Sequence, residues 1–151
     1  VNDNLGFTIF RDQATVESPV DRLGPKQSSI LDSISKVTAP PLGWTRLFDT
    51  IAEEQKALQS MPAKDIKAIV VLTDGKDNSS DLKLDQLDKL IKLTGKDAGS
   101  GVKIFTIAYG DDADQTALKD IAGAGGGQEY SSNLEDIQAL YAAIGRLLGS
   151  K

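Results

Sequence analysis

The sequence predicts an α/β fold with a mostly parallel central sheet, helices on both faces and one antiparallel hairpin at an edge. Ala68–Thr73 is a continuous apolar run, as expected of a parallel strand that is covered on both faces. Predicted strands alternate with segments of helical periodicity, which favours parallel strands joined by helices. No repeat or linker divides the 151 residues, so we expect a single domain over residues 1–151.

The N-terminal half is predicted to open with the hairpin. Its predicted elements are a strand Leu5–Phe10, a turn at 11–13, a short strand Ala14–Glu17, a helix Ser28–Val37, a loop Ala39–Trp44, and a helix that Thr45 caps and that buries Leu47, Phe48, Ile51 and Leu58. Pro19 and the Gly24-Pro25 pair are expected to interrupt regular structure between the hairpin and the first helix.

The C-terminal half continues the alternation. Its predicted elements are the strand Ala68–Thr73, a helix Leu82–Leu93, a strand Val102–Ala108, a helix Asp114–Ala124, a weak strand Gln128–Tyr130 and a closing helix from Leu134. Gly123–Gly127 lacks the flanking residues of either common phosphate-binding motif, so we interpret it as a flexible connection.

Composition excludes several kinds of chemistry. The sequence has no histidine and no cysteine, which removes imidazole and thiolate ligands and the usual nucleophile and base pairs. Any bound metal must therefore be a hard cation held by oxygen, such as Mg²⁺, Mn²⁺ or Ca²⁺. A net charge of -5 argues against nucleic-acid binding, and no apolar run is long enough for direct membrane insertion.

Two loops are placed where sites form in open α/β sheets, at the carboxyl ends of the strands. One contains Thr45 and the other contains Asp74, and a hydroxyl and a carboxylate are suitable ligands for a hard cation. The alternatives are structural, since Thr45 could serve only as a helix cap and Asp74 only as a turn residue before Gly75.

At these loops the sequence resembles the von Willebrand factor A-type domains. Val70–Gly75, followed by Asp77-Asn78, is similar to the family's central strand and metal loop, and Gly43–Ile51 is similar to its second metal loop. The resemblance extends in order over essentially the whole chain and implies a Rossmann-like fold. It also implies that Thr45 and Asp74 are ligands of the family's metal-ion-dependent adhesion site.

The family's first metal loop, Asp-x-Ser-x-Ser, has no counterpart in this sequence. The nearest stretch, Asp77–Asp81, follows the wrong strand and is interpreted as a surface loop or a cap for the next helix. We therefore expect a domain that lacks its first strand, metal loop and helix at the N-terminal side. Thr45 and Asp74 alone supply few of the ligands a cation needs, so this chain should bind metal weakly or not at all.

The missing strand would lie mid-sheet, between the strands Leu5–Phe10 and Ala68–Thr73, and its absence would expose unpaired backbone. Two outcomes are open. The two strands could close up against each other, or a partner segment could fill the position, with self-association as one form of the second outcome.

The resemblance implies a binding or adhesion module whose partner is a protein that offers an acidic side chain to the metal. Trp44, Arg46 and Asp77 are the candidate ligand contacts; packing over the loop is the alternative for Trp44, and a solvated helix start is the alternative for Arg46. We expect no enzymatic activity, because Asp77 is the only plausible base or nucleophile for a metal-assisted hydrolase. An intracellular subunit of a chelatase or ATPase-partner complex is the other alternative. Within the family, Leu47–Ile51 and Leu72–Asn78 resemble bacterial A-type domains joined to an extracellular solute-binding domain, so we expect an extracellular or cell-surface location.

Overall fold

The computed structural model describes residues 3–37, 43–94, 101–131 and 133–149. Their elements, in chain order, are β1 (Asn4–Phe10), β2 (Ala14–Arg22), α1 (Leu23–Ser35), α2 (Leu47–Gln59), β3 (Lys67–Thr73), α3 (Leu84–Thr94), β4 (Val102–Ala108), α4 (Gln115–Ala124), β5 (Glu129–Ser131) and α5 (Leu134–Gly149). Most of the predicted loop Ala39–Trp44 lies outside the described residues. No described helix is both long and apolar enough to cross a membrane.

The parallel sheet has the order β3-β4-β5. β3 and β4 pair along their whole length, from Lys67 opposite Val102 to Thr73 opposite Ala108. β5 adds a short parallel edge, with Tyr130 opposite Ile107. Because all three strands run the same way, their carboxyl ends meet at one edge of the sheet. The predicted α/β fold with parallel strands, helices and an antiparallel hairpin is confirmed.

The core lies on both faces of β4. Ile104 faces a cluster contributed by three helices, and its buried members from those helices are Leu47, Ile51, Leu87, Ile91, Leu118 and Ile121. Phe105 and Ile107 point to the opposite face, where they pack with Tyr130 and with Leu140 of α5. This alternation is the period of two that a strand imposes on its side chains. Helices thus cover both faces of the sheet at β4.

One face of β3 is only partly covered, so the prediction of a strand buried on both faces is wrong for it. Val71 is 5 % exposed and belongs to the helix-covered cluster, whereas Val70 is 47 % and Leu72 57 % exposed. Val70 and Leu72 lie opposite Phe105 and Ile107 in the register and so share their face of the sheet. The packing that covers this face at β4 reaches Ala68 but leaves Val70 and Leu72 exposed.

The hairpin forms a sheet of its own. Among the described strands β1 pairs with β2 alone, so the first alternative, that β1 and β3 close up against each other, is wrong. Near the turn, the hairpin contacts α2, where the Thr8 hydroxyl donates to Glu54 Oε1 at 2.7 Å. At the turn, the Arg46 N–H donates to the Arg11 carbonyl at 2.6 Å.

The predicted interruption between hairpin and helix is also wrong. β2 continues past Pro19, which falls where the ladder with β1 shifts register, a position that tolerates the missing N–H. α1 begins at Leu23, so Gly24 and Pro25 lie in its first turn, where proline leaves no hydrogen bond unmade. Of the apolar residues in α1, Ile30 is the buried one.

The glycine run is a close-packed turn, not the flexible connection predicted. A Cβ at Gly125 would lie 2.6 Å from Cγ1 of Ile104, and one at Gly127 would lie 2.0 Å from the Ile104 carbonyl oxygen. Gly126 has a φ of +65°, which side-chain-bearing residues rarely adopt. These glycines let the chain pass directly over β4 and enter β5.

Candidate functional site

The two loops predicted to carry the site are joined by backbone hydrogen bonds. The Thr45 N–H donates to Oδ1 of Asn78 at 2.6 Å, and the Thr45 carbonyl accepts from the N–H groups of Asn78 and Ser79 at 3.0 and 3.3 Å. A Cβ placed on Gly75 would lie 3.4 Å from the Thr45 hydroxyl oxygen. Thr45 is therefore held beside the loop that begins at Asp74.

Asp74 occupies the end of β3 and is exposed. Within the described part of the chain, its carboxylate takes no part in a hydrogen bond or an ion pair, whereas Thr45 is half-buried. The exit of β4 lies alongside, since the Tyr109 N–H donates to the Thr73 carbonyl at 2.9 Å. The carboxyl edge of the sheet thus presents a hydroxyl and a solvent-facing carboxylate on adjacent loops.

The start of α2 is capped by the neighbouring loop and not by Thr45. Arg46 occupies the N-cap position and its side chain makes no capping bond. The first-turn N–H of Phe48 donates to Oδ2 of Asp77 at 3.0 Å, and that of Asp49 donates to the Ser80 hydroxyl at 3.1 Å. Thr45 was predicted to cap α2 and does not. The segment Asp77–Asp81 caps this preceding helix, and not the next one.

Asp49, in the first turn of α2, binds the same neighbouring loop through its carboxylate. It is 5 % exposed, and its two carboxylate oxygens accept from the N–H groups of Asp81 and Leu82 at 2.8 and 3.0 Å. Burial alone would raise the pKa of this carboxyl, but the two backbone N–H groups and the Arg46 guanidinium outweigh it and hold the pKa below its usual value. The sequence analysis did not single out Asp49. The one local indication of its role is its position as an acidic residue in the first turn of a helix.

The Arg46 side chain forms ion pairs with two carboxylates of the helix that it precedes, α2. Its Nε lies 3.0 Å from Oδ2 of Asp49, and one terminal nitrogen lies 3.0 Å from Oε1 of Glu53. Desolvation opposes the charged form, but these two carboxylates raise the pKa of Arg46 above its ordinary value. The guanidinium is therefore paired and half-buried, where the sequence suggested either a solvated residue or a contact for an acidic ligand.

The two other predicted ligand contacts differ in accessibility. Trp44 is 65 % exposed, so much of its indole faces solvent, and most of the loop over which it could pack lies outside the described residues. The Asp77 carboxylate is turned inward, where it also accepts from the Ser80 hydroxyl at 2.6 Å and the Ser80 N–H at 3.3 Å. Asp77 therefore holds the loops together in this structure, while Trp44 and Asp74 present their side chains to solvent.

Replacing Asp77 with alanine should lower the free energy of unfolding by about 1–2 kcal/mol, the usual cost of losing a helix cap. The reason is that the Phe48 N–H and the Ser80 hydroxyl both lose their acceptor. Urea unfolding followed by circular dichroism measures the change. Asp74→Ala is the matched control and should stay within about 0.5 kcal/mol of the parent; equal losses in the two variants would contradict the capping role.

The donors at this edge fit a hard divalent cation in kind but not in number. Asp74 offers a carboxylate and Thr45 a hydroxyl, both oxygen ligands. The described residues contain no group of three or more acidic side chains arranged to hold a metal. Water or another protein segment would have to supply the remaining positions.

Comparison with solved structures supports the same architecture. A von Willebrand factor type A protein from Catenulispora acidiphila superposes with a TM-score of 0.74 at 16% identity, over 100% of this chain and 35% of that chain. An aerotolerance-related membrane protein from Bacteroides fragilis, solved with multiple mutations to serines, gives a TM-score of 0.67 at 14% identity, over 100% of this chain and 81% of that chain. At these identities the likeness establishes the fold alone.

Comparison of sequences gives the family. No curated protein sequence matches this chain. The family profile of the von Willebrand factor type A domain matches residues 1–145, which is nearly the whole of the sequence. Together with the parallel sheet, the separate hairpin and the two joined loops at its carboxyl edge, this match shows that the chain belongs to the von Willebrand factor type A domain family, whose members serve in general as protein-interaction modules.

Proposed function

We propose that this chain is a protein-binding or adhesion module that recognises its partner through a divalent cation at the carboxyl edge of the sheet. The observation that carries the proposal is the junction that holds the Thr45 hydroxyl beside Gly75, one residue after the exposed Asp74. A cation held there would offer a coordination position to an acidic side chain of the partner. Trp44, exposed at the same edge, would add an aromatic contact around it.

The proposed role is binding and not catalysis. The chain has no histidine or cysteine to act as a base or nucleophile. Asp77, the one acidic residue considered for that role, has its carboxylate occupied by Phe48 and Ser80. This supports a site that binds a ligand without transforming it.

We further propose that the module works at a bacterial cell surface or outside the cell. The structural likeness to a bacterial protein described as a membrane protein supports this placement, although that likeness extends to the fold alone. An acidic chain with a net charge of -5 is compatible with a role in protein binding.

Calorimetric titration of Mn²⁺ and Mg²⁺ into this chain tests the metal proposal. With two protein ligands, we expect weak binding, with a dissociation constant of about 1 mM or higher. Asp74→Ala should abolish it because the only carboxylate of the site is removed. Asp32→Ala, which removes another exposed carboxylate, on α1, should leave it unchanged.

The position of the ion is tested by NMR. Paramagnetic Mn²⁺ should broaden the amide signals of Thr45 and Gly75 before those of α1. Tight saturation at one site would contradict the expected weakness, and broadening that Asp74→Ala leaves in place would contradict the assignment of the site.

A further inference from the structure

Asp74 and Gly75 form the single Asp-Gly pair of this sequence, which contains no Asn-Gly pair. In such a pair the backbone nitrogen of the glycine can attack the carboxyl carbon of the aspartate side chain and close a five-membered ring. Glycine favours this reaction because it has no Cβ to obstruct the attack and leaves its backbone free to rotate. The reaction also needs an accessible aspartate and a backbone that regular structure does not hold.

The structure meets both of these conditions at Asp74. The residue is exposed, and its carboxylate forms no hydrogen bond or ion pair with another described residue. The pair also lies beyond the parallel ladder of β3 and β4, whose last partners are Thr73 and Ala108. The Gly75 N–H donates to the Thr73 hydroxyl at 3.3 Å, a longer distance than most N–H···O hydrogen bonds have. Neither of the two reacting groups is therefore held firmly by its surroundings.

The two pairs in which a serine follows aspartate or asparagine are held more firmly. Asn78 precedes Ser79, but its Oδ1 accepts from the Thr45 N–H at 2.6 Å, and the Ser79 N–H donates to the Thr45 carbonyl at 3.3 Å. Asp32 precedes Ser33 within α1, where the helical backbone fixes the Ser33 nitrogen and directs its N–H along the helix axis. The fold therefore favours ring closure at the Asp-Gly pair over these two positions.

We propose that Asp74 is a site of spontaneous isoaspartate formation. The Gly75 nitrogen bonds to Cγ of Asp74, and the hydroxyl group of the carboxyl leaves as water with the proton of that nitrogen. Water then opens the resulting succinimide ring. Opening at one carbonyl restores aspartate, whereas opening at the other leaves the main chain running through Cβ and Cγ, which is isoaspartate. The water that leaves in the first step is replaced in the second, and no oxidant or reductant takes part.

The modification has a consequence for cation binding, and this consequence rests on the proposed function. Isoaspartate lengthens the main chain by one carbon and shortens the side chain by one, so the carboxylate no longer lies where Asp74 places it beside the Thr45 loop. The modified chain would therefore lose the proposed metal ligand. Conversely, a cation bound to the Asp74 carboxylate would hold it away from the Gly75 nitrogen and slow ring closure. The proposed metal site would thus protect the residue on which it depends.

Prolonged incubation of the chain in EDTA at physiological pH and temperature, followed by trypsin digestion and mass spectrometry, tests the proposal. Trypsin releases residues 68–76, in which Asp74 is the one aspartate, and separate peptides 27–36 with Asp32 and 77–83 with Asn78. We expect an isomer of peptide 68–76 with unchanged mass and a different retention time, which forms several-fold faster than modification at Asp32 or Asn78. Electron-transfer fragmentation identifies the isoaspartate. Absence of this isomer, or equal modification in either of the other peptides, would overturn the proposal.

Gly75→Ala is the matched variant, because the structure has room for it. The φ of Gly75 is not positive, and an added Cβ would lie 3.4 Å from the Thr45 hydroxyl oxygen, an ordinary contact. The variant should therefore fold like the parent, which circular dichroism checks. Isoaspartate formation at Asp74 should fall several-fold, because the methyl group obstructs the attack. Equal rates in the parent and in the variant would overturn the proposal.

Incubation with excess Mn²⁺ in place of EDTA separates this inference from the proposed metal site. If Mn²⁺ slows isomerisation at Asp74 and leaves Asp32 unaffected, the result supports both the reactive pair and a cation at its carboxylate. An unchanged rate at Asp74 would contradict the metal site alone, since isoaspartate formation in EDTA does not depend on a cation.

Discussion

Replacing Gly127 with alanine should lower the free energy of unfolding by about 3 kcal/mol or more, because the added methyl group has no room. Its carbon would lie 2.0 Å from the Ile104 carbonyl oxygen and 3.3 Å from the Phe105 ring. The first neighbour is backbone at the centre of β4, so it can move only if the strand and its ladder move with it. Thermal and urea unfolding, both followed by circular dichroism, measure the loss.

Gly123→Ala is the matched control, four residues earlier in the same glycine-rich stretch. A Cβ at Gly123 meets nothing within 4 Å, and the residue lies in α4. Alanine should therefore stabilise the protein by about 0.5–1 kcal/mol through its higher helix propensity. If both variants behaved alike, the close approach of this turn to β4 would be contradicted.

Replacing Asp49 with alanine should lower the free energy of unfolding by about 3 kcal/mol, because it removes a buried charge that joins α2 to the loop before α3. The N–H groups of Asp81 and Leu82 would lose their acceptors, and Arg46 would lose one of its two ion-pair partners among the described residues. Urea unfolding of the variant measures this cost. Asp85→Ala is the control, since its exposed i,i+4 pair with Lys89 should contribute no more than about 0.5 kcal/mol.

The pH dependence of stability gives a second measurement of the same residue. The pKa of Asp49 is lower in the folded state than in the unfolded chain. Its stabilising contribution is therefore fully present above the ordinary carboxyl pKa and is lost as the pH falls through the lowered one. The stability difference between the parent and Asp49→Ala should shrink between about pH 5 and pH 2. A difference that stayed constant over this range would contradict an ionised, hydrogen-bonded Asp49.

Local patterns in the sequence predicted most of the elements correctly. The strand at Val102–Ala108 matches β4, and the helix predicted over Asp114–Ala124 differs from α4 only in that Asp114 is its N-cap, accepting from the Ala117 N–H. These elements follow from apolar spacing and capping residues, which act within a few positions of each other. The order of elements also placed Thr45 and Asp74 at the same edge of the sheet.

The predictions that failed depended on contacts between distant parts of the chain. Thr45 has the residue type of an N-cap, yet Asp77 and Ser80, about thirty positions later, take that role. A local pattern does not reveal this, because a helix terminus can be satisfied by any acceptor that the fold brings to it. The prediction for Arg46 failed for a similar reason. Its position at a helix start suggested solvent exposure, whereas in the structure it is paired with Asp49 and Glu53.

By itself, the sequence determined the α/β class, the order of strands and helices, the absence of imidazole and thiolate chemistry and the two loops of the candidate site, because each depends on residue type and short-range spacing. Only the tertiary structure decided that Val70 and Leu72 are left uncovered and that the glycine run packs directly on Ile104. An apolar run has the same composition whether one face or two are covered. Burial is a property of what packs against a strand, and the residues of the strand do not encode it alone.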